Sequence, residues 1–203
     1  WTIQAPTANR VSVTYTIYGR ELSVRTNWIE DGFALLNGAP TFLTVRGEED
    51  APHRITLKLP ETWKSAWSAL PSESKGREVT FTAQNHDELI DSPILAGDLD
   101  VHAIPVEDVP ISLVSAGDPS LWNTSEAALH ARKIVLAYRE MMGSLPVDRY
   151  LFLNCIAESP GGLEHAKSCV LMTPRYAFRK RAGYLDWLGL VSHEFFHLWN
   201  VKR

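Results

Sequence analysis

From residue 11 to about residue 104 the chain alternates short apolar and polar steps, the pattern of half-buried β-strands. Residues 11–17 and 21–28 flank a turn at Tyr18-Gly19-Arg20 and could pair as neighbours. Further strands are expected at 41–46, 54–59, 78–83 and 98–104. Turn signals separate them at Asn37-Gly38, Ala51-Pro52, Pro71-Ser72 and Ser74-Lys75-Gly76. The sum is an all-β unit of two packed sheets. Residues 85–94 break the alternation with acids and a histidine. They read as a solvated loop with a short helical turn, or alternatively as one wall of a cleft. Prolines then mark residues 107–111 as a connection between domains.

After the connection the period changes. Asn123 and Glu126 form a capping-box-like start, and Ala127, Ala131, Ile134, Tyr138 and Met141 follow at helical spacing until Gly143, Ser144 and Pro146 stop the helix. Residues 150–156 and 168–173 read as buried strands with a glycine-containing loop between them. The last stretch, from Tyr184 to Trp199, is apolar almost all round, as a buried helix is. The expected order in this second region is helix, strand, loop, strand, helix.

Composition changes this picture little. Of the 203 residues, 45% are apolar and 22% charged, as in an ordinary globular protein. A formal charge of −4 leaves no basic footprint, so no nucleic-acid partner is expected. No apolar run approaches the roughly 20 residues of a membrane span, and no membrane partner is expected either. There is no initiator Met, so a cytoplasmic location and export after removal of a leader both stay open. The two cysteines, Cys155 and Cys169, each sit in a strand-like run. Buried free thiols are the expectation, with a bridge open to an exported protein.

Chemistry concentrates in the last helix. His193, Glu194 and His197 form the pattern H-E-x-x-H, which places two imidazoles one turn apart on one helix face. With seven histidines in 203 residues, random placement would give this pattern only ~0.02 times. A Zn²⁺ ion takes imidazole nitrogens at roughly 2.0–2.1 Å, and this spacing delivers two without distorting the backbone. Glu194 then lies beside the metal, where a carboxylate can take a proton from a metal-activated water and pass it to a leaving amine. The plain alternative is a core helix with satisfied histidines. A second constellation is GGLEH at 161–165, where paired glycines admit close backbone approach and Glu164 could bind an ammonium group.

The run HEFFHLWNVKR (193–203) closely resembles the metal helix of the glycyl aminopeptidase family of zinc metallopeptidases. GGLEH (161–165) is similar to that family's substrate-binding loop, and DELIDSPI (87–94) to an element near the end of its N-terminal β domain. The resemblance implies an α+β protein: an N-terminal all-β sandwich, residues 1–108, followed by the first part of a thermolysin-like α+β catalytic domain, residues 109–203. It implies zinc held by His193 and His197, Glu194 as general base, and Glu164 holding the free α-amino group of a peptide, with Gly161 and Gly162 shaping the edge beside it. The implied reaction removes N-terminal residues, preferentially Gly or Ala. The family's third ligand is a glutamate on a later helix, so it is expected beyond Arg203. Glu164 and His165 are nearer substitutes, though the resemblance gives Glu164 to the substrate. The 203-residue chain alone is therefore expected to be inactive, with self-association through the uncovered last helix. Two other readings stay open. One is a zinc endopeptidase, and the other is a β-sandwich peptide-binding module with a remnant metal helix.

Overall fold

The computed structural model describes residues 2, 4, 10–106 and 109–202. Glu107 and Asp108, at the expected domain connection, and Arg203 lie outside the described residues. The front half runs through β1 (Trp28–Ile29), β2 (Phe33–Leu36), β3 (His53–Lys58), β4 (Ser65–Trp67), β5 (Ser72–Lys75), β6 (Glu78–Ala83), α1 (His86–Ile90) and β7 (Ile94–Gly97). Then come β8 (Asp100–Ile104), β9 (Ile111–Ala116), α2 (Thr124–Met142), β10 (Tyr150–Ala157), β11 (Gly161–Glu164), β12 (Ser168–Pro174) and α3 (Arg181–Phe196).

The strands form three sheets of order β3-β6-β5, β1-β2-β7-β4 and β11-β12-β10-β9-β8. They stack with the four-stranded sheet in the middle. Successive residues of β7 point to opposite faces. Ile94 and Ala96 join Val79, Phe81 and Leu70 in the core against the three-stranded sheet, while Leu95 joins Val114, Leu153 and Val170 against the five-stranded one. Two cores thus meet at one strand. The other face of the five-stranded sheet carries α2 and α3, with Tyr150, Phe152 and Leu171 packed under Ala131, Val135, Trp187, Val191 and Phe195. The protein is α+β, with sandwiched sheets in front and a helix-covered sheet behind.

Several expectations are corrected. Residues 11–17 and 21–28 do not form a hairpin; the pairing there is a single Arg20–Trp28 bridge leading into β1. Val11, Val13 and Tyr15 are 52%, 49% and 49% exposed, so their alternation has no sheet face to bury against. Residues 41–46 are likewise not a strand. The strands on either side of residues 105–110, β8 and β9, pair antiparallel within one sheet. The stretch 161–164, read as loop, is the edge strand β11, held antiparallel to β12 by pairs from Gly161–Met172 to Glu164–Cys169.

The second region follows its sequence signals closely. Asn123 Oδ1 accepts from Glu126 N–H at 3.1 Å, and α2 ends at Gly143 with φ of 83° in the left-handed region. Both cysteines are free and buried, and burial pushes the Cys155 thiol up to about 12. The helix that carries the H-E-x-x-H pattern is fixed to the sheet by a buried polar contact. Trp187 Nε1–H donates to Asn154 Oδ1 at 3.0 Å, and Asn154 Nδ2 donates in turn to Ser115 Oγ at 3.2 Å. Trp187→Phe leaves that buried carbonyl without its donor, so a loss of about 1–3 kcal/mol is expected as a lower denaturant midpoint. An unchanged midpoint would mean that this bond contributes nothing.

Candidate active site

Helix α3 presents three faces at its C-terminal end. Trp187, Val191 and Phe195, spaced by four, are buried against the sheet. Glu194 lies three residues from Val191 and turns under β11, where it is only 4% exposed. His193 is exposed, and His197, which caps the helix, is half-buried. Their Nε2 atoms stand 3.3 Å apart with the rings at 89°. His197 Nδ1–H donates to the Asn200 carbonyl at 3.1 Å, which leaves Nε2 of the neutral ring as the lone-pair nitrogen.

Glu194 is held by space rather than by hydrogen bonds. A Cβ built on Gly162 would overlap Glu194 Oε1 and stand 2.5 Å from its Cδ and 2.8 Å from Leu190 Cδ1. Absence of a side chain at 162 is what lets the carboxylate lie against the edge strand. Its Oε2 is buried and has no hydrogen-bond partner among the described residues. Burial raises the Glu194 pKa above its ordinary value; His193 and His197 pull it back only in part, and Glu164 adds to the rise.

Glu164 closes the arrangement from the end of β11. One ligand-type atom each from Glu164, Glu194 and His197 lie within 4.8 Å of one another. Hence Gly161, Gly162, Glu164, His193, Glu194 and His197, which the sequence names in two separate segments, come together where β11 crosses α3. The residues also fit a metal. Two imidazole nitrogens sharing a tetrahedral ion at roughly 2.0–2.1 Å stand about 3.3–3.4 Å apart, and the observed separation is 3.3 Å. The orphaned carboxylate oxygen beside them is a further donor of the same chemical class.

The sequence reading missed one participant. Asp91, in the acidic stretch after α1, reaches the turn that follows Glu164: its Oδ1 accepts from His165 Nδ1 at 3.1 Å and its Oδ2 from Ala166 N–H at 2.9 Å. A separation of 74 residues hides the contact from any local pattern. The signals in the sequence were that residues 87–94 interrupt a β pattern with acids, read alternatively as a cleft wall, and resemble an element of the glycyl aminopeptidase family.

Residues 1–98 match the peptidase M61 N-terminal domain. The match covers the front of the chain, just under half of its length, and is a likeness to that domain. Among solved structures, an aminopeptidase N family protein from Idiomarina loihiensis superposes with a TM-score of 0.80 at 29% identity, over 91% of this chain and 33% of that one. A likeness over 91% of the chain runs past the M61 N-terminal domain. Legionella pneumophila aminopeptidase A, solved in complex with aspartic acid, matches at a TM-score of 0.58 and 17% identity over 87% of this chain and 23% of that one, a likeness of fold alone. No curated protein matches the chain. The chain spans about a third of the length of the Idiomarina protein. It carries a group of residues, Glu164, Glu194 and His197, that could hold a metal ion, and has no helix among the described residues that is long and apolar enough to cross a membrane.

Proposed function

We propose that this chain is the front part of a zinc-dependent aminopeptidase that removes small N-terminal residues, preferentially Gly or Ala, from peptides with a free N-terminus. The observation that carries the reading is the pair of imidazole nitrogens 3.3 Å apart with the buried Glu194 carboxylate between them in sequence and Glu164 facing it. His193 and His197 would hold the zinc, with a third protein ligand from a later part of the longer protein. When bound, zinc polarises the scissile carbonyl and lowers the pKa of water.

The chain's own side chains supply the rest. Glu194 receives at its unpartnered Oε2 the proton that water loses as its oxygen bonds to the carbonyl carbon. The same proton goes to the amine nitrogen as the carbon–nitrogen bond breaks. Burial raises the basicity of Glu194 toward that task. Glu164, a half-buried carboxylate at the end of β11, pairs with the substrate α-ammonium and so sets cleavage at one residue from the N-terminus. β11 stands at the edge of its sheet, with Gly161 and Gly162 leaving room for a substrate backbone to lie alongside.

The test compares zinc content and turnover of Gly- and Ala-terminal substrates in the 203-residue chain and in the same chain extended through the following domain. About one zinc per chain and turnover in the extended form alone is the expected result. Zinc in neither form would favour the binding-module reading, and equal turnover of N-acetylated peptides would favour an endopeptidase. Glu164→Gln is expected to keep the zinc and lose the preference for a free amine. Loss of zinc in that variant would make Glu164 a ligand instead.

A further inference from the structure

We propose that Asp91, contributed by the front domain, is a positioning residue of this site that fixes the turn after Glu164 and thereby sets where the Glu164 carboxylate stands. The inference rests on the reading of Glu164 as the amine-binding group. Its ground is a carboxylate that gathers three donors from distant parts of the chain. Asp91 caps the C-terminus of α1, and its own N–H donates to the Asp87 carbonyl. Its Oδ2 accepts from the Ala166 backbone, and its Oδ1 from both His165 Nδ1 at 3.1 Å and Lys202 Nζ at 2.8 Å. Residue separations of 74, 75 and 111 make this a junction of three segments: the front domain, the turn between β11 and β12, and the stretch beyond His197.

The turn needs such an anchor. β11 is an edge strand of four residues beginning with two glycines, so β12 is the one strand that orders it. Beyond Glu164, His165 N–H donates to the Ser168 carbonyl at 2.9 Å, and Asp91 takes the next backbone N–H and the ring N–H together. The His165 ring is only 7% exposed, so it is locked between Asp91 and the protein interior. Burial by itself raises the Asp91 pKa, but the bonds from His165, Lys202 and Ala166 outweigh it and hold the carboxyl below its ordinary value. The clasp is therefore made by the ionised carboxylate, the form present at neutral pH.

Kinetics of Asp91→Ala and Asp91→Asn in the zinc-loaded full-length protein, on an Ala-terminal substrate and its N-acetylated counterpart, test the assignment. Both variants are expected to raise KM for the free-amine substrate by at least about tenfold and to move its selectivity over the acetylated one toward that of Glu164→Gln. Combined with Glu164→Gln, Asp91→Asn is expected to add no further loss of selectivity. Zinc content stays at the wild-type level, and amide exchange in residues 165–166 of Asp91→Ala rises at least about tenfold. Unchanged selectivity, with or without lowered stability, would reduce Asp91 to a structural tie and overturn the proposal. If Asp91→Ala fails to fold, Asp91→Asn, which keeps one acceptor oxygen, decides alone. Should Glu164→Gln itself leave selectivity unchanged, the amine-binding reading falls and the role of Asp91 falls with it. If Glu164→Gln abolishes selectivity while both Asp91 variants retain it, only the present inference fails.

Discussion

Glu194→Gln in the zinc-loaded full-length protein is expected to lower kcat by about 10²–10⁴-fold while leaving zinc content unchanged. The two effects separate because Gln keeps the shape of the side chain against Gly162 and leaves both imidazoles in place, yet cannot accept and return a proton. Stability should move the other way. Burial raises the folded-state pKa of Glu194, so the folded chain binds the proton more tightly than the unfolded chain, and stability falls as pH rises through that interval. Below the ordinary Glu pKa of about 4.3 the carboxyl is protonated in both states and the substitution should change little. At neutral pH the metal-free variant should be the more stable one, because it no longer carries a buried carboxylate with an unpartnered oxygen. Urea midpoints at pH 4 and pH 7 for both proteins check the sign, and kcat checks the chemistry. A variant that retains wild-type kcat would remove Glu194 from the mechanism.

The meeting of these side chains was easier to read than the strands around them. His193, Glu194 and His197 are local in sequence, and a helix converts their spacing directly into shared space. α2 was legible for the same reason, since Asn123, Glu126 and Gly143 act on their own neighbours. Strands of the front half were harder. β2 and β7 lie in the middle sheet, where both faces are covered, so Phe33, Ala34 and Leu35, like Ile94, Leu95 and Ala96, are buried in succession and show no alternation. Residues 11–17 show the converse, an alternating segment without a sheet to join. β9 was passed over because the prolines at 105 and 110 read as a connection between domains, although both precede the strand. For β11 the glycines argue for a loop, and only pairing with β12 makes it a strand. The Asp91 clasp exists only once the front domain has packed against the sheet that carries β11, which no local pattern encodes.

Gly162→Ala offers the sharpest separation of local packing from chemistry, because the neighbouring glycine is its control. Neither Gly161 nor Gly162 is among the glycines with positive φ, so alanine fits the backbone of β11 at both positions. What differs is the neighbour. A Cβ on Gly161 meets Val24 Cγ1 at 3.2 Å, a contact that a shift of a few tenths of an ångström relieves, whereas one on Gly162 overlaps the carboxylate of Glu194 and also crowds Leu190 Cδ1 at 2.8 Å, both ends of flexible side chains. The Glu194 side chain is flexible at its far end and can swing away, so Gly162→Ala should fold with little loss of stability and with its zinc ligands intact. Moving the base by about 1 Å is enough to lower the rate by about 10²-fold, and that loss is expected in kcat/KM for Gly162→Ala. Gly161→Ala should lose clearly less, because its Cβ meets Val24 and leaves Glu194 in place. Equal activities in the two alanine variants would mean that the approach of β11 to Glu194 has no part in catalysis. A larger loss in Gly162→Ala than in Gly161→Ala would assign the second glycine of the pair to the proton-carrying carboxylate.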